Sequence, residues 1–151
     1  MTNLVILISG RGSNMIAIAQ ACQREAWPAR IAAVNAHRAD LPGLQAARSM
    51  GLPVDVVDGV AFPERAARES ALIACIDRHA ADIVVLAGYM RILSPEFVRH
   101  YAGRMVNIHP SLLPSFPGLH THRRALEAGV VAHGATVHLV SDALDGGPII
   151  A

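Results

Sequence analysis

The stretch DIVVLAG, 82–88, is apolar at successive positions rather than at alternate ones. A strand of that kind is buried on both faces, which requires helices above and below it. The rest of the chain repeats the theme. Short apolar runs at 4–9, 30–36, 54–58, 82–88 and 104–109 alternate with longer segments of helical spacing at 15–26, 40–51, 63–80, 94–103 and 120–129. That β-α-β rhythm predicts an α/β fold: a Rossmann-like, three-layer sandwich built on a doubly wound, mostly parallel sheet. Residues 135–141 alternate like a strand with one polar face, and 148–151 begin another strand. With 151 residues, no repeat and no long linker, the chain is expected to be a single domain.

Composition narrows the function. Apolar residues make up 52% and aromatics only 4%, so the core is expected to consist of Ala, Val, Leu and Ile. Thirteen basic and twelve acidic residues give a net charge of +1 with no block of one sign. Nucleic acid is therefore not expected as a partner, because phosphate neutralisation needs clustered Lys and Arg. The first apolar run ends at Ser9, too soon for a signal peptide or a membrane span. Cys22 and Cys75 form no CxxC pair and read as small core residues, in keeping with a cytoplasmic protein.

Ligands of such folds bind beyond the carboxyl ends of the strands. Four loops occupy those places. SGRGSN, 9–14, has two glycines before a helix, an arrangement that suits a phosphate at the helix start. It is not a dinucleotide fingerprint, since Met15 stands where the third glycine belongs; a plain turn capped by Ser13 or Asn14 is the alternative. GYMRILSP, 88–95, could line a pocket for a flat heterocycle through Met90, Ile92 and Leu93, or could simply pack with Arg91 in solvent. In NIHPSLLPSFPGLHTH, 107–122, Asn107 and His109 share strand parity and lead into a loop stiffened by Pro110, Pro114 and Pro117. A carboxamide can donate to an oxyanion and an imidazole can move a proton near neutral pH. His120 and His122 lack a third ligand at metal spacing, and no metal is expected; His120 or Thr121 can cap the next helix. In SDALDGGPI, 141–149, Asp142 and Asp145 reach a strand end, and a carboxylate near an imidazole favours its charged form.

Taken in order, ISGRGSN, GYMRILSPEFV, VNIHPSLLPSFPGLHTHRRALEAG, HGATVH and LDGGPII resemble the folate-dependent phosphoribosylglycinamide formyltransferases along essentially the whole chain. The resemblance implies the formyltransferase fold and transfer of the formyl group of 10-formyltetrahydrofolate, the co-substrate, to the amino group of glycinamide ribonucleotide. By motif position it implies a catalytic trio of Asn107, His109 and Asp145, and a ribonucleotide phosphate held by Gly12, Ser13 and Asn14. Met90, Arg91, Ile92 and Leu93 would form part of the folate pocket, with Arg65 near the glutamate tail, Asn107 also binding the folate, and Ser141, Asp142 and Asp145 in the loop 141–145 that closes on the pterin side.

Family members continue past DGGPII, so the resemblance also implies a C-terminally incomplete domain, with an uncovered apolar surface that invites homo-oligomers. Two rival readings remain. One is another folate formyl enzyme, such as formyltetrahydrofolate deformylase. The other is a non-catalytic folate or nucleotide binding module. A dinucleotide-dependent oxidoreductase is disfavoured by Met15 and by Asn35 and His37 at the end of the second strand.

Overall fold

The computed structural model describes residues 1–151. It divides into two compact units, Met1–Leu93 and Ser94–Ala151.

In the first unit the order is β1 (Thr2–Ile8), α1 (Ser13–Arg24), β2 (Ala29–Ala36), α2 (Pro42–Ser49), β3 (Val54–Val56), α3 (Arg65–Arg78) and β4 (Ile83–Leu86). The strands lie in the order β3-β2-β1-β4, and every pair is parallel. Val5 to Ile8 on β1 and Val84 to Leu86 on β4 are buried, which accounts for their unbroken apolar runs. Leu44, Ala47, Leu72 and Ile76 supply the buried faces of α2 and α3. This core is aliphatic, as composition requires. Pro42 opens α2 at its first turn, where its missing N–H has no helical partner to lose. Cys22 and Cys75 are free and lie on α1 and α3; burial, then Asp55, pushes the Cys75 thiol up, away from the reactive thiolate.

The second unit holds α4 (Pro95–His100), β5 (Met105–His109), α5 (Thr121–Ala128) and β6 (Thr136–Leu139). Ser94 caps α4, its hydroxyl accepting from the Phe97 N–H at 3.2 Å, and Pro95 is the first helical residue. β5 and β6 pair antiparallel, with Asn107 opposite His138 and His109 opposite Thr136. The core here departs from the aliphatic expectation. Phe97 and Tyr101 are fully buried, with ring centroids 5.1 Å apart and tilted by 55°. The six aromatics divide equally between the units, but the two that are fully buried are both in the smaller one, where each large ring removes much surface from water.

The segment expected to start a strand at 148–151 joins β6 through a bridge between His138 and Ile149, and the Leu139 N–H donates to the Pro148 carbonyl. Over both units the chain has six strands, mostly parallel, with helices between them. No helix is long and apolar enough to cross a membrane.

Candidate active site

Strand alternation turns Asn107 and His109 to one face of β5, and their antiparallel partners His138 and Thr136 turn to the same face of β6. His109, Thr136 and His138 are each no more than 5% exposed. Buried polar groups at this density must be hydrogen-bonded, and they are.

His109 is held at both ring nitrogens. Its Nδ1 lies 3.4 Å from Asp145 Oδ1, and its Nε2 donates to the Phe116 carbonyl at 2.9 Å. Both partners are acceptors, so the doubly protonated ring satisfies both. The other carboxylate oxygen of Asp145 accepts from the Gly118 N–H at 2.9 Å. Asp145 takes a left-handed backbone conformation, φ 51°, which a short polar side chain tolerates better than most. The sequence brought two aspartates to this strand end. Only Asp145 meets the imidazole; Asp142 is exposed, with its carboxylate 4.0 Å from the Arg99 guanidinium. Ser141 is occupied locally, its hydroxyl bonding the backbone of Ala143.

The loop after β5 is fixed by residues the motif reading missed. Ser111, fully buried, donates from its hydroxyl to the Ser115 carbonyl at 2.6 Å. Thr136 Oγ1 donates to the Ser111 carbonyl at 2.7 Å and accepts from the Leu113 N–H at 3.0 Å. Arg124, from α5, donates to the Leu119 carbonyl and stacks 5.6 Å over the Phe116 ring. Together these contacts deliver the Phe116 carbonyl to His109. The polar face of 135–141 was the available signal for Thr136 and His138.

The first unit carries the remaining candidate residues. Gly12 precedes α1 with φ 72°, and a Cβ there would stand 3.1 Å from Gly43 Cα. Gly43 in turn donates its N–H to the Gly10 carbonyl at 2.9 Å, and a Cβ on it would crowd that oxygen. The loop therefore keeps its shape by glycine-to-glycine approach. The alternative reading, a turn capped by a side chain, is not what forms: Ser13 and Asn14 are the first helical residues, both exposed, and neither caps α1. Their position leaves the helix-start N–H groups open to an anion. His120 and Thr121 likewise provide no side-chain cap to α5; His120 occupies the cap position in a left-handed conformation.

Beyond β4, Met90 donates its N–H to Ser9 Oγ at 2.9 Å, and Ser9 Oγ lies 3.3 Å from His37 Nδ1. Burial, then Arg91 and Arg38, holds His37 below the usual imidazole range. Arg65 reaches the Ile92 carbonyl at 3.5 Å, bringing two candidate folate residues together. Met90 and Ile92 are 65% and 85% exposed, Arg91 is exposed and Leu93 half-buried.

His122 Nδ1 lies 2.8 Å from His133 Nε2, and no group of three His, Cys, Asp or Glu side chains is placed to hold a metal ion.

Comparison with known proteins shows what the chain is similar to. A family model described as formyl transferase matches residues 2–151. The chain is 55% identical over 148 residues to the phosphoribosylglycinamide formyltransferase of Escherichia coli strain K12, covering 98% of this chain and 70% of that protein. It is 43% identical over 150 residues to the corresponding protein of Haemophilus influenzae, covering 99% of this chain and 71% of that one. A solved structure of glycinamide ribonucleotide transformylase 1 from Symbiobacterium toebii superimposes with a TM-score of 0.94 at 44% identity, over all of this chain and 71% of that one.

Proposed function

The chain belongs to the formyl transferase family, and from that premise we propose that it moves the formyl group of 10-formyltetrahydrofolate to the amino group of glycinamide ribonucleotide, a step of purine biosynthesis in the cytoplasm. We take residues 1–151 as one formyltransferase domain acting on two small molecules. The observation that carries the reading is the buried pairing of His109 with Asp145 at the end of the strand that also presents Asn107.

The substrate amine attacks the formyl carbon and a C–N bond forms. The carbonyl oxygen becomes an oxyanion in a tetrahedral intermediate. Asn107, through its carboxamide N–H, and His109, through Nε2–H, donate to that oxygen. His109 Nε2 now faces the Phe116 carbonyl, so engaging the oxyanion means exchanging a neutral acceptor for a charged one, which binds the N–H more strongly. Asp145 fixes the ring through Nδ1 and assists passage of the amine proton, through water, to the departing folate nitrogen as its bond to carbon breaks. The open helix start at Gly12, Ser13 and Asn14 holds the ribonucleotide phosphate. Arg65, Met90, Arg91, Ile92 and Leu93, with Ser141 and Asp142, receive the folate.

The test is to supply 10-formyltetrahydrofolate with glycinamide ribonucleotide, with initiator methionyl-tRNA, or with water alone, and to follow loss of the formyl donor. Transfer to the ribonucleotide alone is expected. Formate release without an acceptor would make the chain a deformylase, and tight binding of both ligands without turnover would make it a binding module.

A further inference from the structure

We propose that His138 is a positioning residue for this reaction: as a neutral imidazole protonated on Nδ1, it sets which way the Asn107 carboxamide faces. The inference rests on the function proposed above, and one of its tests is independent of turnover.

His138 is 2% exposed and lies directly across from Asn107 in the β5–β6 register. On its other side the backbone bridges to Ile149, so the ring is carried by a strand paired on both edges. Its Nδ1 lies 3.0 Å from the Leu139 carbonyl. A carbonyl only accepts, so Nδ1 carries the proton. Its Nε2 lies 3.2 Å from Asn107 Nδ2. An amide nitrogen only donates, so Nε2 presents its lone pair.

The chain of constraint runs in one direction. A main-chain oxygen chooses the tautomer, and the tautomer chooses the donor end of the carboxamide. One N–H of Asn107 is spent on His138, and the second remains for an oxyanion. A second proton on His138 would reverse the choice. Nε2–H would then seek Oδ1, the amide would turn over, and donor and acceptor would exchange places. Asn107 alone has no means of telling its two ends apart, because they are nearly equal in shape.

Three measurements test this. In nitrogen-resolved NMR of the folded wild-type chain at neutral pH, His138 should show a protonated Nδ1 and an unprotonated Nε2. The opposite tautomer, or a doubly protonated ring, overturns the proposal whether or not the chain turns over. In formyl transfer to glycinamide ribonucleotide, His138→Leu should lower kcat about tenfold to a hundredfold, as part of the loss of one oxyanion donor, with KM for both substrates little changed. His138→Gln, whose carbonyl can accept from Asn107, should recover most of that loss. In an Asn107→Ala background, His138→Leu should cost nothing further, since the group it orients is gone. An equal loss in both backgrounds would make His138 a structural residue only. Absence of transfer by the wild type would instead sink the functional reading and leave the tautomer to be judged by NMR.

Discussion

The loop after β1 and the loop after β5 both leave a strand that ends on a buried residue, yet they are built from different materials. The first is made of backbone. Gly12 meets Gly43, and Gly43 meets the Gly10 carbonyl, too closely for a side chain on either Gly12 or Gly43, while the side chains of Ser13 and Asn14 stand exposed and cap nothing. The second is made of side chains. His109, Ser111, Thr136 and Asp145 fix the main chain from beneath, and each is largely buried. A backbone cradle accepts an anion by geometry and tolerates exchange of exposed side chains. A network of buried side chains can hold a proton at a chosen atom, but it fails when one member is removed.

The largest effect should come from the side-chain network. His109→Ala and Asp145→Asn should each cut turnover about a hundredfold or more, with ribonucleotide affinity by calorimetry changed only a few-fold. Near-normal kcat in either variant would remove the catalytic role and blur the contrast. Next come the backbone contacts. A Cβ on Gly147 would run into the Leu139 carbonyl oxygen, so Gly147→Ala should destabilise by at least about 2 kcal/mol in chemical denaturation, a backbone demand inside the side-chain unit. Gly12→Val should likewise lose about 1–3 kcal/mol and weaken ribonucleotide binding, whereas Ser13→Ala should stay within about 0.5 kcal/mol of wild type. If Ser13→Ala destabilises as much as Gly12→Val, the first loop is not a backbone device.

Thr136→Val keeps shape but removes the hydroxyl between Ser111 and Leu113, and about 1–3 kcal/mol of stability should go with it. The smallest effect is the pH response of the first unit. His37 titrates below 6.5 in the folded chain, so the unfolded chain binds more protons just under that pH. Stability is complete above about 6.5 and falls as the solution is acidified toward the folded value. His37→Gln should flatten that slope in thermal melts; an unchanged slope would show that Ser9 and His37 are not coupled to folding.

Much of this was readable. The apolar runs located β1 to β5 and the alternation of 135–141 located β6, with no end shifted by more than two residues; in β1 and β4 burial on both faces leaves a continuous signature. Asn107 and His109 were legible through strand parity, and Asp145 through its place beside two glycines at the next strand end. The network around them was not. Ser111 and Thr136 meet across twenty-five positions of sequence, and their role is to satisfy main-chain groups that no pattern of residue types announces. Ser13, Asn14, His120 and Thr121 carried cap-forming or polar side chains, but the local backbone put a left-handed residue in each cap position and left those side chains unused. Gly43 gave no signal beyond a helix-start Pro-Gly, since its reason for being glycine lies in a loop some thirty residues earlier. The aliphatic-core expectation failed at Phe97 and Tyr101 because composition averages over units that pack differently.

On the proposed mechanism, the Phe116 carbonyl sits where the incoming anionic oxygen would, against an imidazole that is already stripped of solvent. When such an oxygen takes that place, a fixed dipole is traded for a charge. On that mechanism the resting chain rehearses its own transition state with a piece of peptide, and the work of dehydrating the imidazole is done during folding, before any reactant arrives.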